Sequence, residues 1–289
     1  MFSLENEFLH IMIDQQGAEL QSVYGKLHQL EWLWDGNPAF WAKRSPVLFP
    51  IVGTLRENKY YFNGKAYSMN RHGFAREKSF IPDQKGPESI SFSLREDEST
   101  LQVYPFAFEF SINYTLDANS LHTLYRIVNR GQGDMYFSVG GHPAFKIPLV
   151  EGTSYDDYFL EFNEDETKPR WPISAEGLIE KKPIPLLVST DHLPLTKDLF
   201  KKDAVVLKFP TSSIVSLRSE KTPHGLDFNF SGFPYLGLWA AHNADFLCIE
   251  PWCGIADPVD SDQQLVSKEG INRLPPGNVF ERKWTASFF

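Results

Sequence analysis

From Phe106 to Leu116 the chain alternates one for one: Phe106, Phe108, Phe110, Ile112, Tyr114 and Leu116 are apolar, with small or polar residues between most of them. A period of two puts these side chains on one face of a strand and excludes an amphipathic helix. Asp117-Ala-Asn-Ser120 is a turn signal, and Leu121 to Asn129 reads as the returning strand. Asn63-Gly64 marks a second hairpin, because a type I′ turn needs two residues that tolerate positive φ. Further strands are predicted over 8–13, 90–94, 135–139, 158–162, 204–209, 214–217, 226–230, 235–240, 246–250 and 279–287, with a short helical piece at 195–202. Many short strands joined by turns mean a sandwich or barrel. With no internal repeat and no linker, the expectation is a single all-β domain over 1–289, a large β-sandwich.

Composition agrees. The 24 Phe, 11 Tyr and 7 Trp, punctuated by 20 Pro and 19 Gly, favour strands and turns over long helices. A hydrophobic share of 42% excludes intrinsic disorder. The net charge of −9 argues against a general binder of nucleic acid or anionic membrane. Residues 228–244 carry no charge, but Asn229, Ser231, His242 and Asn243 make them too polar to span a bilayer. Glu5, Glu7 and Asp14 interrupt any secretory leader. Cys248 and Cys253 form neither a disulfide framework nor a zinc pattern, so a reducing cytoplasm is expected.

Signatures of serine hydrolases, zincins and P-loops are missing. Of eight histidines, six lie in strands or turns with no polar constellation nearby in sequence. His142 differs: it follows an apolar strand in Val139-Gly-Gly-His-Pro-Ala-Phe145, where Pro143 favours an extended conformation and Gly140-Gly141 leave room for a ligand. His72 sits between Arg71 and Arg76 just after the Asn63-Gly64 hairpin. Glu250 closes the apolar run Phe246-Leu-Cys-Ile249 before Pro251-Trp252. It reads either as an ion-paired structural carboxylate or as a general base tuned by apolar surroundings. Trp252 offers a flat face to a sugar ring, or simply fills the core. Lys43, Arg44, Arg56, Lys59, Lys65, Arg71, Arg76 and Lys78 form a basic island in an acidic chain. Such an island suits an anionic ligand such as a phosphate, or is the incidental charge of a solvated hairpin.

Taken together, Pro46-Val-Leu-Phe-Pro-Ile-Val-Gly53, His72-Gly-Phe-Ala-Arg76, Gly141-His-Pro-Ala-Phe145 and Ile249-Glu-Pro-Trp252 resemble the aldose 1-epimerase (galactose mutarotase) family, in particular its lactose-operon-associated branch. The resemblance implies a β-supersandwich with an open sugar cleft and no obligatory cofactor or metal. It implies Glu250 as catalytic base, His142 as catalytic acid, and His72 and Asp203 as sugar ligands. Family members carry Gly-Arg after the valine, where this chain has Gly53-Thr54; the family's Asn-Arg pair falls on Asn58-Lys59 or slips to Arg56, or Arg44, Arg71 or Arg76 takes the sugar-binding arginine's role instead. The expected reaction is interconversion of hexose anomers, with His142 titrating near its ordinary value. Alternatives are a hexose-6-phosphate mutarotase and a non-catalytic sugar-binding protein. A metalloenzyme built on His72, His142 and Glu250 lacks any supporting H-x-H or H-x-D pair. The expected partner is a small-molecule sugar, with the chain a monomer or homodimer.

Overall fold

The alternating segment forms the middle of a nine-stranded sheet in the computed structural model, which describes residues 1–84 and 86–289. Phe108–Asp117 pairs antiparallel with Ser120–Asn129, placing Phe110 opposite Ile127 and Ile112 opposite Tyr125. Outward on one side come Ser89–Arg95 and Ile81–Gln84. On the other come Val279–Phe288, Leu226–Asn229, Ile214–Ser219, Tyr158–Glu166 and Thr190–Pro194. The inward residues Phe108, Phe110, Ile112 and Ile127 are fully buried, and burial of that apolar face holds the sheet in place.

A second sheet packs against that face. Its order is Val205–Lys208, Tyr235–Trp239, Phe246–Cys253, Val139–Gly141 and Val47–Leu48, with Ala144–Lys146 also pairing with Phe246–Cys253. Phe49, just beyond it, stacks on Phe110 with ring centroids 4.7 Å apart. Strands Phe2–Glu5, Leu9–Ile13, Leu20–Gly25 and Leu30–Glu31 add a four-stranded sheet. One hydrophobic cluster runs through all three, from Leu4 to Phe288. The fold is an all-β sandwich, as the periodicity predicts, and no helix among the described residues is long and apolar enough to cross a membrane.

The Asn63-Gly64 hairpin is present, with φ of 49° and 76° at the two turn residues. Three predicted elements differ. Residues 195–202 hold only a 3₁₀ turn, Lys197–Phe200. The strand expected over 135–139 splits, Met135–Phe137 pairing with Asn272–Leu274 and Val139–Gly141 joining the second sheet. Glu250 does not end its strand: Phe246–Cys253 runs straight through Pro251. Pro251 is tolerated because its missing N–H falls at a gap in the ladder. Cys248 pairs with Ala144 and Trp252 with Gly140, so the partner changes segment between them. His142 and Pro143 occupy that gap. The α-helix Glu98–Val103, capped by the Asp97 side chain, went unpredicted.

Candidate active site

The gap in the ladder builds the site. Glu250 projects from the middle of a fully buried strand, and His142 from the break between Val139–Gly141 and Ala144–Lys146. His142 Nε2 lies 3.4 Å from Glu250 Oε2. Both line a cleft of about 310 Å³, at the small end of the range for small-molecule sites. Glu250 is 1% exposed and His142 8%. Trp41 and Trp239 flank the imidazole, with centroids 4.8 and 5.6 Å away.

Burial dominates the electrostatics. It pushes the Glu250 carboxyl well above the usual carboxylate range, against the pull of Arg71 and the Trp252 indole. It drives His142 down to about 3, helped by the positive charges of Arg71 and Arg76. The expectation of a histidine titrating near its ordinary value is therefore not met, because the imidazole sits in an aromatic box beside two guanidiniums. Among the described residues, neither Glu250 Oε2 nor His142 Nδ1 has a hydrogen-bond partner, and neither has Trp252 Nε1. Unpartnered buried groups of this kind cost stability and point to a ligand.

His72 is buried, stands at φ 70°, and is held neutral by the same burial. Its Nδ1 accepts the Gly53 N–H at 3.1 Å, which places the ring proton on Nε2. Arg71 Nε approaches that Nε2 at 3.2 Å. Two donors thus converge with no acceptor between them. Arg71 also reaches Asp203 at 3.5 Å, so the guanidinium bridges the cleft. Asp203, at φ 85°, lines it too. Arg76 completes this wall and donates to the Arg71 carbonyl at 3.0 Å. Thr54 is buried under Gly177, where an added Cβ would lie 2.6 Å from the Thr54 hydroxyl. Arg71 reaches the same place, its Nη1 3.6 Å from that added Cβ.

The indole of Trp252 forms another wall, slotted between two glycines. A Cβ on Gly140 would stand 2.7 Å from it and one on Gly237 2.5 Å. The room at Gly140-Gly141 is thus taken by protein rather than held for a ligand: a Cβ on Gly141 would meet the Tyr125 hydroxyl at 2.6 Å. Arg44 is not part of the site. Its guanidinium bonds the Gln21 side chain and the Asp35 carbonyl, outside the cleft. The basic island dissolves likewise into local contacts, Lys43 on Glu19, Lys78 on Asp97 and Arg56 on the Ser261 carbonyl, leaving Arg71 and Arg76 at the cleft. Trp41 and Trp239 went unpredicted. Trp239 shares a strand face with Gly237, opposite Glu250, which only the strand register reveals, and Trp41 comes from a loop with no pattern.

The family model for aldose 1-epimerase matches residues 1–265. The chain belongs to the aldose 1-epimerase family. It is 34% identical over 294 residues to protein LacX of Lactococcus lactis subsp. lactis, covering 97% of each. Among solved structures it resembles a galactose mutarotase related enzyme from Lactobacillus acidophilus, with TM-score 0.94, 35% identity and coverage of 100% of this chain and 97% of that one. A galactose mutarotase-like protein from Lactobacillus casei ATCC 334 superposes with TM-score 0.94 at 28% identity over all of both chains.

Proposed function

We propose that this protein is an aldose 1-epimerase that interconverts the α and β anomers of a free hexose in the cytoplasm. The observation that carries the reading is the 3.4 Å approach of His142 Nε2 to Glu250 Oε2 on the floor of a cleft sized for one small ligand. Because burial raises the carboxyl and lowers the imidazole, a proton shared by the pair rests on Glu250. Passing that proton across the contact gives a carboxylate and an imidazolium. Glu250 then takes the proton of the C1 hydroxyl while His142 gives one to the ring oxygen, and the bond from C1 to the ring oxygen breaks. Rotation of the open-chain aldehyde about C1–C2 and reclosure with the roles reversed deliver the other anomer and restore the pair. Each group contributes about 10²–10⁴-fold.

The remaining groups orient the sugar. A sugar oxygen beside Arg71 and His72 in the cleft accepts from Arg71 and from the His72 Nε2–H, which relieves the donor conflict seen there. Asp203 accepts a hydroxyl proton, and the Trp252 indole takes the C–H face of the ring. Free Cys248 and Cys253 fit a reducing compartment. The test is polarimetry of freshly dissolved α-galactose and α-glucose with catalytic amounts of enzyme. Accelerated relaxation to the anomeric equilibrium is expected, and saturable sugar binding without acceleration would make the chain a sugar-binding protein instead. The pairing of Arg71 with Arg76 on one wall favours a second reading, a hexose-6-phosphate substrate. A kcat/KM higher for the phosphorylated sugar and falling with salt would select it.

A further inference from the structure

The Phe246–Cys253 strand is buried at every residue and aims Phe246, Cys248, Glu250 and Trp252 to one side by its period of two. Glu250 and Trp252 line the cleft, so Cys248 lies on the same side, one step along the strand. Pairing with Ala144 sets Cys248 beside the break that carries His142. One possible ligand atom each from His142, Cys248 and Glu250 lie within 4.8 Å of one another. The three residues are 8%, 0% and 1% exposed. His142 Nδ1 and Glu250 Oε2 have no hydrogen-bond partner among the described residues.

We propose that His142, Cys248 and Glu250 form a site for a thiophilic divalent cation, Zn²⁺ in particular, and that its binding shuts off the acid–base pair. A thiolate with an imidazole selects Zn²⁺ over Mg²⁺ or Ca²⁺, and three protein ligands leave a fourth position facing the cleft. On entry of the ion the thiol and the carboxyl each release a proton to solvent, so the cation, thiolate, carboxylate and neutral imidazole sum to zero charge. A neutral cluster suits this burial far better than separate ions. The ion occupies the lone pairs that would move protons on the sugar. Only the inhibition rests on the mutarotase reading; the binding site does not.

Cd²⁺ is the probe, because its bond to a thiolate gives a near-ultraviolet charge-transfer band. Titrated into metal-free protein, it is expected to produce the band with a single saturating site. The band should be lost in Cys248→Ala and Cys248→Ser, each checked for native circular dichroism, and kept in Cys253→Ala, whose thiol faces the other side of the strand. A wild-type protein without the band, or a band that survives in the Cys248 variants, overturns the site. Zn²⁺ should slow anomer exchange by about 10-fold or more, with EDTA restoring it, and the ratio of rates with and without Zn²⁺ should approach unity in Cys248→Ala. Exchange that is unaffected by bound Zn²⁺ overturns the inhibitory role. The band pattern with no exchange activity in metal-free protein supports the site while removing the mutarotase reading.

Discussion

The two large sheets share a core but spend their residues differently. In the nine-stranded sheet, the long central strands pair in unbroken register and alternate buried with more open positions, the one shift lying in the edge ladder between Tyr158–Glu166 and Thr190–Pro194. Among the described residues of its strands, only Thr123 keeps a buried side-chain polar atom without a partner, and no residue stands at positive φ. The facing sheet has short strands, a broken ladder, and glycines under an indole. Among the described residues, His142, Glu250 and Trp252 at its cleft all carry buried polar atoms without a hydrogen-bond partner, and His72 and Asp203 stand at positive φ. The satisfied sheet fixes the geometry, and the unsatisfied one gathers the cleft residues. Strain and unpaired groups concentrated at one place, with a regular scaffold behind them, are the pattern of a functional site.

The sharpest way to break this contrast lies in the cleft. Glu250→Gln and His142→Asn should each lower kcat by about 10²–10⁴-fold without loss of fold, and the double variant should be no slower than the worse single one, because the two act as a unit. Additive losses would mean independent roles. Phe110→Ala in the scaffold should do the opposite, costing about 3–5 kcal/mol in urea denaturation while the folded fraction keeps its kcat. A smaller effect is expected from Gly237→Ala. The new Cβ would stand 2.5 Å from an indole already wedged against Gly140, so Trp252 must shift, raising KM about 10-fold with little change in kcat.

The pH dependence sharpens the comparison further. In the proposed mechanism the Glu250–His142 pair shares one proton. Burial lowers His142 to about 3, so it gains a second proton only in strong acid, and the same burial raises the Glu250 carboxyl above its ordinary range. With EDTA present, kcat/KM should therefore show no limb from His142 near pH 6.5, where an unperturbed histidine would be half titrated. A limb centred there would show that His142 behaves as if exposed. Arg44→Ala should matter least: it removes contacts to Gln21 and Asp35 and leaves KM unchanged.

Strand periodicity made most of the scaffold legible, because a half-buried strand writes its burial into alternate residues. The short strands Phe2–Glu5 and Leu20–Gly25 were not legible, one being four residues long and the other mixing Gln and Ser with its apolar positions. At the site, Glu250, His142, His72, Arg71, Arg76, Asp203 and Trp252 were anticipated from local motifs and the family resemblance, and all line one cleft. Trp41, Trp239 and the position of Cys248 depend on which strands pair and in what register, which a single sequence leaves open. Arg44 misled because a basic residue near a motif says nothing of where its side chain points. Its partners are Gln21 and the Asp35 carbonyl, one of them distant in sequence.

Magnetisation-exchange NMR on an equilibrated mixture of α- and β-galactose tests the catalytic pair most directly, since it reads anomer interconversion without substrate depletion or a coupled enzyme. Strong exchange cross-peaks between the two anomeric protons are expected with wild-type protein, and none above the buffer rate with Glu250→Gln or His142→Asn. Cross-peaks of equal strength in all three samples would contradict a catalytic role for the pair.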